Sequence, residues 1–275
     1  MKLFSLVRNV IKEVFHQKII LLLIASLTVI VCLFVFTVHI TMLGGNLSSV
    51  SIYGGKPFTG GEIMTMLPIL AEVFITFGFM ATVVLCIVST TNVIPDLFTN
   101  GTIVFFLSKS IPRYLIVISY FIGVTFSVAC IQFGFIGSFW LALQLKLVVW
   151  QFIFLAVLIP LSVSFFSMFA MIVCFGMIFK KTGPVTALAL GYVLFFSKVL
   201  ASRREILTSI GADSLPVRFV TDALYYLFPQ IYELQQGAVS LLLYHQMQAT
   251  NVITSICSSI IFLAIASMLF KKMDV

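Results

Sequence analysis

The chain has 275 residues, of which 61% are hydrophobic and 9% charged, with a mean hydropathy of +1.19. A soluble domain carries about 25% charged residues, and a chain this apolar lacks the polar surface to cover its own core, so a soluble fold is excluded and bilayer lipid is the implied solvent. The net charge of +7 does not indicate nucleic acid, because the basic residues stand at the ends of apolar runs, where membrane topology puts them.

In chain order, residues 1–18 predict an interfacial helix. Leu3, Leu6, Val7, Val10, Ile11 and Val14 recur at helical spacing, with Arg8, Lys12 and Glu13 between them, the pattern of an apolar stripe lying on a membrane surface. A first span is predicted over 19–39; it is long enough to cross, and no small-residue cleavage site follows it. The Gly-rich stretch 41–62 reads as an exposed loop, and a second span covers 64–90. The segment 92–113 does not span. It holds Asp96, Gly101, Thr102, an apolar patch with Phe105 and Phe106, and a basic end at Arg113. A third span follows over 114–141 and a fourth over 147–179, with a kink expected at Pro160. Lys180 to Pro184 make a basic turn before a fifth span at 185–199. Between 201 and 248 the apolar stretches 223–228 and 238–244 are too short to cross and predict short re-entrant or surface helices. The sixth span is 251–270, and Lys271 and Lys272 follow it.

The expected fold is therefore an all-α membrane protein: one transmembrane domain of six spans, an N-terminal amphipathic interfacial helix, a cytoplasmic coupling helix after span 2 (92–113) on which a soluble partner could dock, and short re-entrant helices before span 6. With the N-terminus inside, ten of the sixteen basic residues fall on inner segments (Lys2, Arg8, Lys12, Lys18, Lys109, Arg113, Lys180, Lys181, Lys271 and Lys272). The bias places both termini in the cytoplasm of an inner or plasma membrane.

Catalytic chemistry finds no support. The chain has no phosphate-binding loop G-x-x-x-x-G-K-[ST], no H-E-x-x-H and no G-x-S-x-G. His16, His39 and His245 lie in three separate segments, and the five cysteines lie singly in apolar runs, so no metal set is expected. Ionisable groups within spans are the default functional candidates, which singles out Glu72 in the second span and Lys198 in the fifth. They are read either as an ion pair on a translocation path or as groups reaching the interface.

The run Asp96-Leu97-Phe98-Thr99-Asn100-Gly101-Thr102, followed by Leu107-Ser108-Lys109-Ser110-Ile111-Pro112-Arg113, resembles the cytoplasmic signature of ABC-2 type transporter permeases. The Leu227-Phe228-Pro229 step before the last span and the C-terminal Phe270-Lys271-Lys272-Met273-Asp274 fit the same pattern. So does an N-terminal helix carrying Glu13. Ser119-Tyr120 stands where family members often carry Gly-Lys, which leaves the subfamily open. The resemblance implies a permease half that dimerises with a second copy or a sister chain. A separate dimer of ABC ATP-binding subunits, holding ATP and Mg, would drive it, with export the usual direction. It further implies that Glu13, Asp96, Gly101, Thr102, Phe105, Phe106 and Arg113 form the ATPase-docking surface, with the path between the second and fifth spans. Two alternatives stand beside it. One is a membrane anchor that passes ATPase-driven motion to an extracytoplasmic partner; the other is an ATP-independent carrier or channel.

Overall fold

A computed structural model describes residues 2–16, 24–29, 31, 32, 36, 38–43, 46–52, 58, 59, 61–99, 112–147, 152–211 and 214–272. The chain opens with helix α1 (Lys2–His16). Strands β1 (Val38–Leu43), β2 (Asn46–Ile52) and β3 (Phe58–Thr59) follow. Then come α2 (Gly61–Thr90), α3 (Val93–Thr99), α4 (Arg113–Leu147), α5 (Ile153–Ala156) and α6 (Leu158–Phe179). The remainder is α7 (Thr182–Gly191), a π-helical turn (Tyr192–Phe196), α8 (Ser197–Ala201), α9 (Arg203–Ile210), α10 (Leu215–Leu227), α11 (Ile231–Tyr244) and α12 (Ala249–Lys272).

Among the described residues five helical stretches are long and apolar enough to cross a membrane: Ile75–Phe98, Arg113–Ala142, Ile153–Phe179, Thr182–Ala201 and Ala249–Lys272. The protein is thus a multi-pass helical membrane protein. Of the predicted first span, 19–39, the described residues 24–29, 31, 32 and 36 are helical, whereas Val38 and His39 belong to β1. The other five predicted spans each correspond to one of these stretches, with shifted bounds.

Three differences from the sequence reading have clear physical causes. The stretch 41–62, read as loop, carries the antiparallel sheet β1–β2–β3. Leu43 pairs with Asn46 at one end of the β1–β2 ladder, a pairing set by contact between two strands and not by the hydropathy of either. A register shift between Thr41 and Met42 interrupts the period-2 pattern. Second, α3, read as a surface segment, is packed into the bundle: Val93, Ile94 and Leu97 are buried. Ile94 reaches the close approach at Gly176 of α6, where a Cβ would stand 2.8 Å from its Cγ2. Third, the break in the fourth span lies at Val157 between α5 and α6, one turn before Pro160. A proline has no N–H and its ring crowds the carbonyl four residues earlier, here that of Ala156, where α5 ends.

Helix α6 is the hub. It packs against α2, α3, α4, α7, α11 and α12, and residues 168–173 are completely buried. Its most extensive contact is with α12, whose buried face is Ser255, Ser258, Ser259, Phe262, Ala266 and Phe270. Small residues let helices approach closely in lipid, where dispersion rather than hydrophobic expulsion holds them together. The serine hydroxyls do not burden that face, because Ser258 and Ser259 donate to the carbonyl of Ser255. The stretches Thr182–Ala201 and Ala249–Lys272 are the least enclosed of the five. Each leaves a wide apolar side outward, with Leu194, Phe195 and Phe196 on one and Ile253, Ile260 and Met268 on the other.

Helix α1 does not lie free. Its 6–10–14 row is buried, with Val10 2% and Val14 1% exposed, and it packs along α4. The seat is Gly123, where a Cβ would meet Val10 Cγ1 at 2.7 Å. Protein, rather than lipid, takes that part of its apolar stripe, while Arg8 and Lys12 stay exposed.

Candidate functional site

One end of the bundle gathers most of the predicted docking residues that are described. The Thr91 and Thr186 hydroxyls are hydrogen-bonded at 3.0 Å, which joins the end of α2 to the start of α7. Phe98, next to the end of α3, meets Phe270 of α12 edge to face at 6.3 Å, and Lys180 Nζ lies 5.5 Å from the Phe98 ring. Arg113, the first residue of α4, donates from Nη1 to the Phe270 carbonyl at 3.4 Å. A cation there meets the negative end of the α12 dipole. Lys180 and Lys181 between α6 and α7, and Lys271 and Lys272 ending α12, complete a strongly basic end. Lys180 itself adopts a left-handed conformation, φ 51°, and its N–H closes α6 on the Gly176 carbonyl.

Asp96 is half-buried on α3 at this end, and Glu13 lies on α1. Gly101, Thr102, Phe105 and Phe106 lie outside the described residues. Ser119 and Tyr120, nearly two turns into α4, are 1% and 2% exposed, so both are buried core.

Glu72 and Lys198 lie at the opposite end, both exposed. Glu72 lies in the first half of α2, far from the end that meets α7, and Lys198 is three residues from the end of the stretch that stops at Ala201. Within this chain they form no ion pair with each other.

The opposite end carries a polar network that sequence reasoning missed. Arg203 Nε donates to Asp222 Oδ1 at 2.6 Å, and Arg204 Nη2 stands 3.6 Å from Oδ2. Arg203 also donates to the Leu200 carbonyl at 3.2 Å and covers the Tyr225 ring at 3.6 Å. Tyr225 donates to Glu233 at 3.2 Å. The hydrogen bond from Arg203 holds the Asp222 carboxyl below its ordinary range. Burial, with Glu233 beside it, pushes the Tyr225 phenol up to about 12, so it stays a proton donor. Sequence offers little signal for this network: nineteen residues separate Arg203 from Asp222, more than local helix pairing reaches.

The Leu227-Phe228-Pro229 step is a junction of buried hydrogen bonds. Tyr192, at the start of the π-helical turn, donates to the Pro229 carbonyl at 2.7 Å and stacks on Phe228. The Gln230 N–H donates to Ser255 at 3.3 Å, and Thr254 donates to Gln230 Oε1 at 2.7 Å. One turn on, Gln235 donates to the Thr76 carbonyl of α2 at 2.9 Å. The spans around α7 and α12 are thereby tied to α11, a helix of 14 residues and about 21 Å, too short to cross a hydrocarbon core of about 30 Å.

Comparison with protein-family models finds no match, and comparison with curated proteins finds none either. What these observations establish is a multi-pass helical membrane protein with a basic end and, opposite it, an end with an Arg–Asp–Tyr–Glu network.

Proposed function

We propose that this chain is the permease subunit of an ABC transporter. In this reading it pairs with a second copy or a sister chain to form the translocation path, and a separate dimer of ATP-binding subunits, holding ATP and Mg, drives it toward export. The basic end faces the cytoplasm with both termini, as the distribution of Lys and Arg favours.

The observation that carries the reading is the placement of Arg113. The residue closes the segment that resembles the family's docking signature, begins α4, and bonds the last turn of α12. A push on the segment from Asp96 to Arg113 would thus reach two spans at once. Glu13 joins the same device through α1, which is seated on α4 at Gly123. Packed side chains and rigid helices of this kind are one carrier of coupling between distant sites.

Arg113→Glu should leave the protein in the membrane but separate ATP hydrolysis by the partner from transport, measured in proteoliposomes; unaltered coupling would overturn the docking assignment. The reading as a whole is tested by isolating the tagged chain from its native membranes in mild detergent. A co-purifying chain that bears a phosphate loop supports it. Absence of any such chain, under conditions that keep other ABC transporters intact, would leave an ATP-independent carrier.

A further inference from the structure

We propose that the groove between α4 and the helical residues 24–29, 31 and 32 holds one acyl chain of a membrane phospholipid. The proposal rests on the crossing by Arg113–Ala142 and is independent of the transport reading.

The groove has a volume of about 460 Å³, within the range of small-ligand sites, about 300–1,000 Å³. Contacts between the N-terminal segment and α4 bracket it on both sides. On one side Val10 of α1 sits on Gly123, where a Cβ would stand 2.7 Å from it. On the other, Val31 shares an apolar cluster with Phe139. Between these contacts the walls stand apart, and a Cβ at Gly134 would meet nothing within 4 Å. Leu27, Val31 and Ile131 are buried and make the floor. Thr28 and Cys32 on one wall, and Cys130, Gly134 and Ser138 on the other, are exposed, so the groove opens outward.

The chemistry of the lining selects the occupant. No lining residue is charged, so a headgroup finds no counter-ion there. The two hydroxyls are committed within their own helices: Thr28 donates to the Ile24 carbonyl at 2.8 Å and Ser138 to the Phe135 carbonyl at 2.9 Å. Water would find few partners, and apolar cavities of this kind stay dry or take an apolar guest. A helix of a partner chain is about 10–12 Å across and rises 5.4 Å per turn, so the groove has room for only about one turn of it. Left empty, the lining would forfeit its dispersion contacts. The α4 wall, residues 130–138, lies inside the crossing stretch Arg113–Ala142, so hydrocarbon is the medium at the mouth. An acyl chain is thin, flexible and apolar enough to fill the groove. It touches two walls and a floor there, where a lipid beside a single helix touches one, and this separates a held lipid from the surrounding bilayer.

The test uses the purified full chain in detergent, with dioleoyl phosphatidylcholine and dioleoyl phosphatidylglycerol as probes and native mass spectrometry as readout. One phospholipid per chain should stay bound, and the two headgroups should be retained alike, because the acyl chain is what is held. Gly134→Leu, which fills the groove from α4, should lower retention by about tenfold or more, the effect of displacing two methylenes. Cys32→Leu fills it from the other wall and provides a second variant should Gly134→Leu fail to fold, with circular dichroism as the check. Absence of bound lipid from the unaltered chain, or unchanged retention in the folded variants, would overturn the proposal. Retention of one headgroup only would overturn it as well. So would loss of a second copy of the chain, rather than of lipid, from either variant, which would mark the groove as a protein interface.

Discussion

Two glycines illustrate how single residues set the spacing of this bundle. At Gly123 a Cβ would stand 2.7 Å and 2.9 Å from Val10 of α1, whereas at Gly134, on the same helix, it would meet nothing within 4 Å. Helix propensity alone favours alanine over glycine at both by up to about 1 kcal/mol. Packing reverses the sign at the first. Gly123→Ala should destabilise the protein by about 1–3 kcal/mol, the usual cost of forcing atoms into a filled contact, while Gly134→Ala should be neutral or slightly stabilising. Thermal unfolding in detergent distinguishes them, and equal shifts would show that α1 is not seated on α4. Gly176 follows the same logic against Ile94.

At the scale of elements, the short helix α11 is held partly by polar contacts and partly by packing, and their weights can be separated. Gln235 is 1% exposed and donates to Thr76, yet its Oε1 has no partner among the described residues. A buried acceptor without a partner costs about 1–3 kcal/mol, and a typical internal hydrogen bond contributes about 0.5–1.5 kcal/mol. The two effects nearly cancel. Gln235→Leu should therefore change stability by less than about 1 kcal/mol, whereas Gln235→Ala, which opens a cavity beside Leu234 and Ala238, should cost clearly more. Comparable losses for both in detergent unfolding would mean that the amide is held by more than the Thr76 carbonyl. The π-helical turn at Tyr192–Phe196 belongs to the same junction. Extra-wide turns of this kind commonly sit where a side chain has a specific task, and here Tyr192 reaches the Pro229 carbonyl.

For the whole molecule, contacts between distant segments assign charged groups to ends. Arg113, Lys180 and Lys271 come together around Phe98 and Phe270 at one end, and the network of Arg203, Arg204 and Asp222 lies at the other. With the native cysteines replaced by alanine, Lys181→Cys and Thr208→Cys should react with a membrane-impermeant thiol reagent from opposite sides of sealed vesicles. Labelling of both from one side would overturn this arrangement, and with it the crossing by Thr182–Ala201.

The amino-acid sequence by itself determined the class, the helical spans from the second to the sixth and the short helices between the last two. Each of these follows from the length and hydropathy of a continuous run, and lipid imposes that length whatever the neighbours are. The helical character of residues 2–16 was legible for the same reason, since a 3.6-residue period is a local property. Tertiary structure alone decided which surface each apolar face meets. The stripe of α1 reads the same whether it lies on lipid or on Gly123. Residues Val93 to Leu97 read as the start of an exposed segment until α6 covers them, and the sheet at 38–59 depends on pairing that no hydropathy run records. The break before Pro160 was legible in kind but not in position, because the strain falls on the carbonyl four residues back. Arg203 and Asp222, far apart in the chain, acquire a shared chemistry only when α9 and α10 fold against each other. Local patterns encode what one segment needs from its solvent, and only packing specifies which segment supplies it.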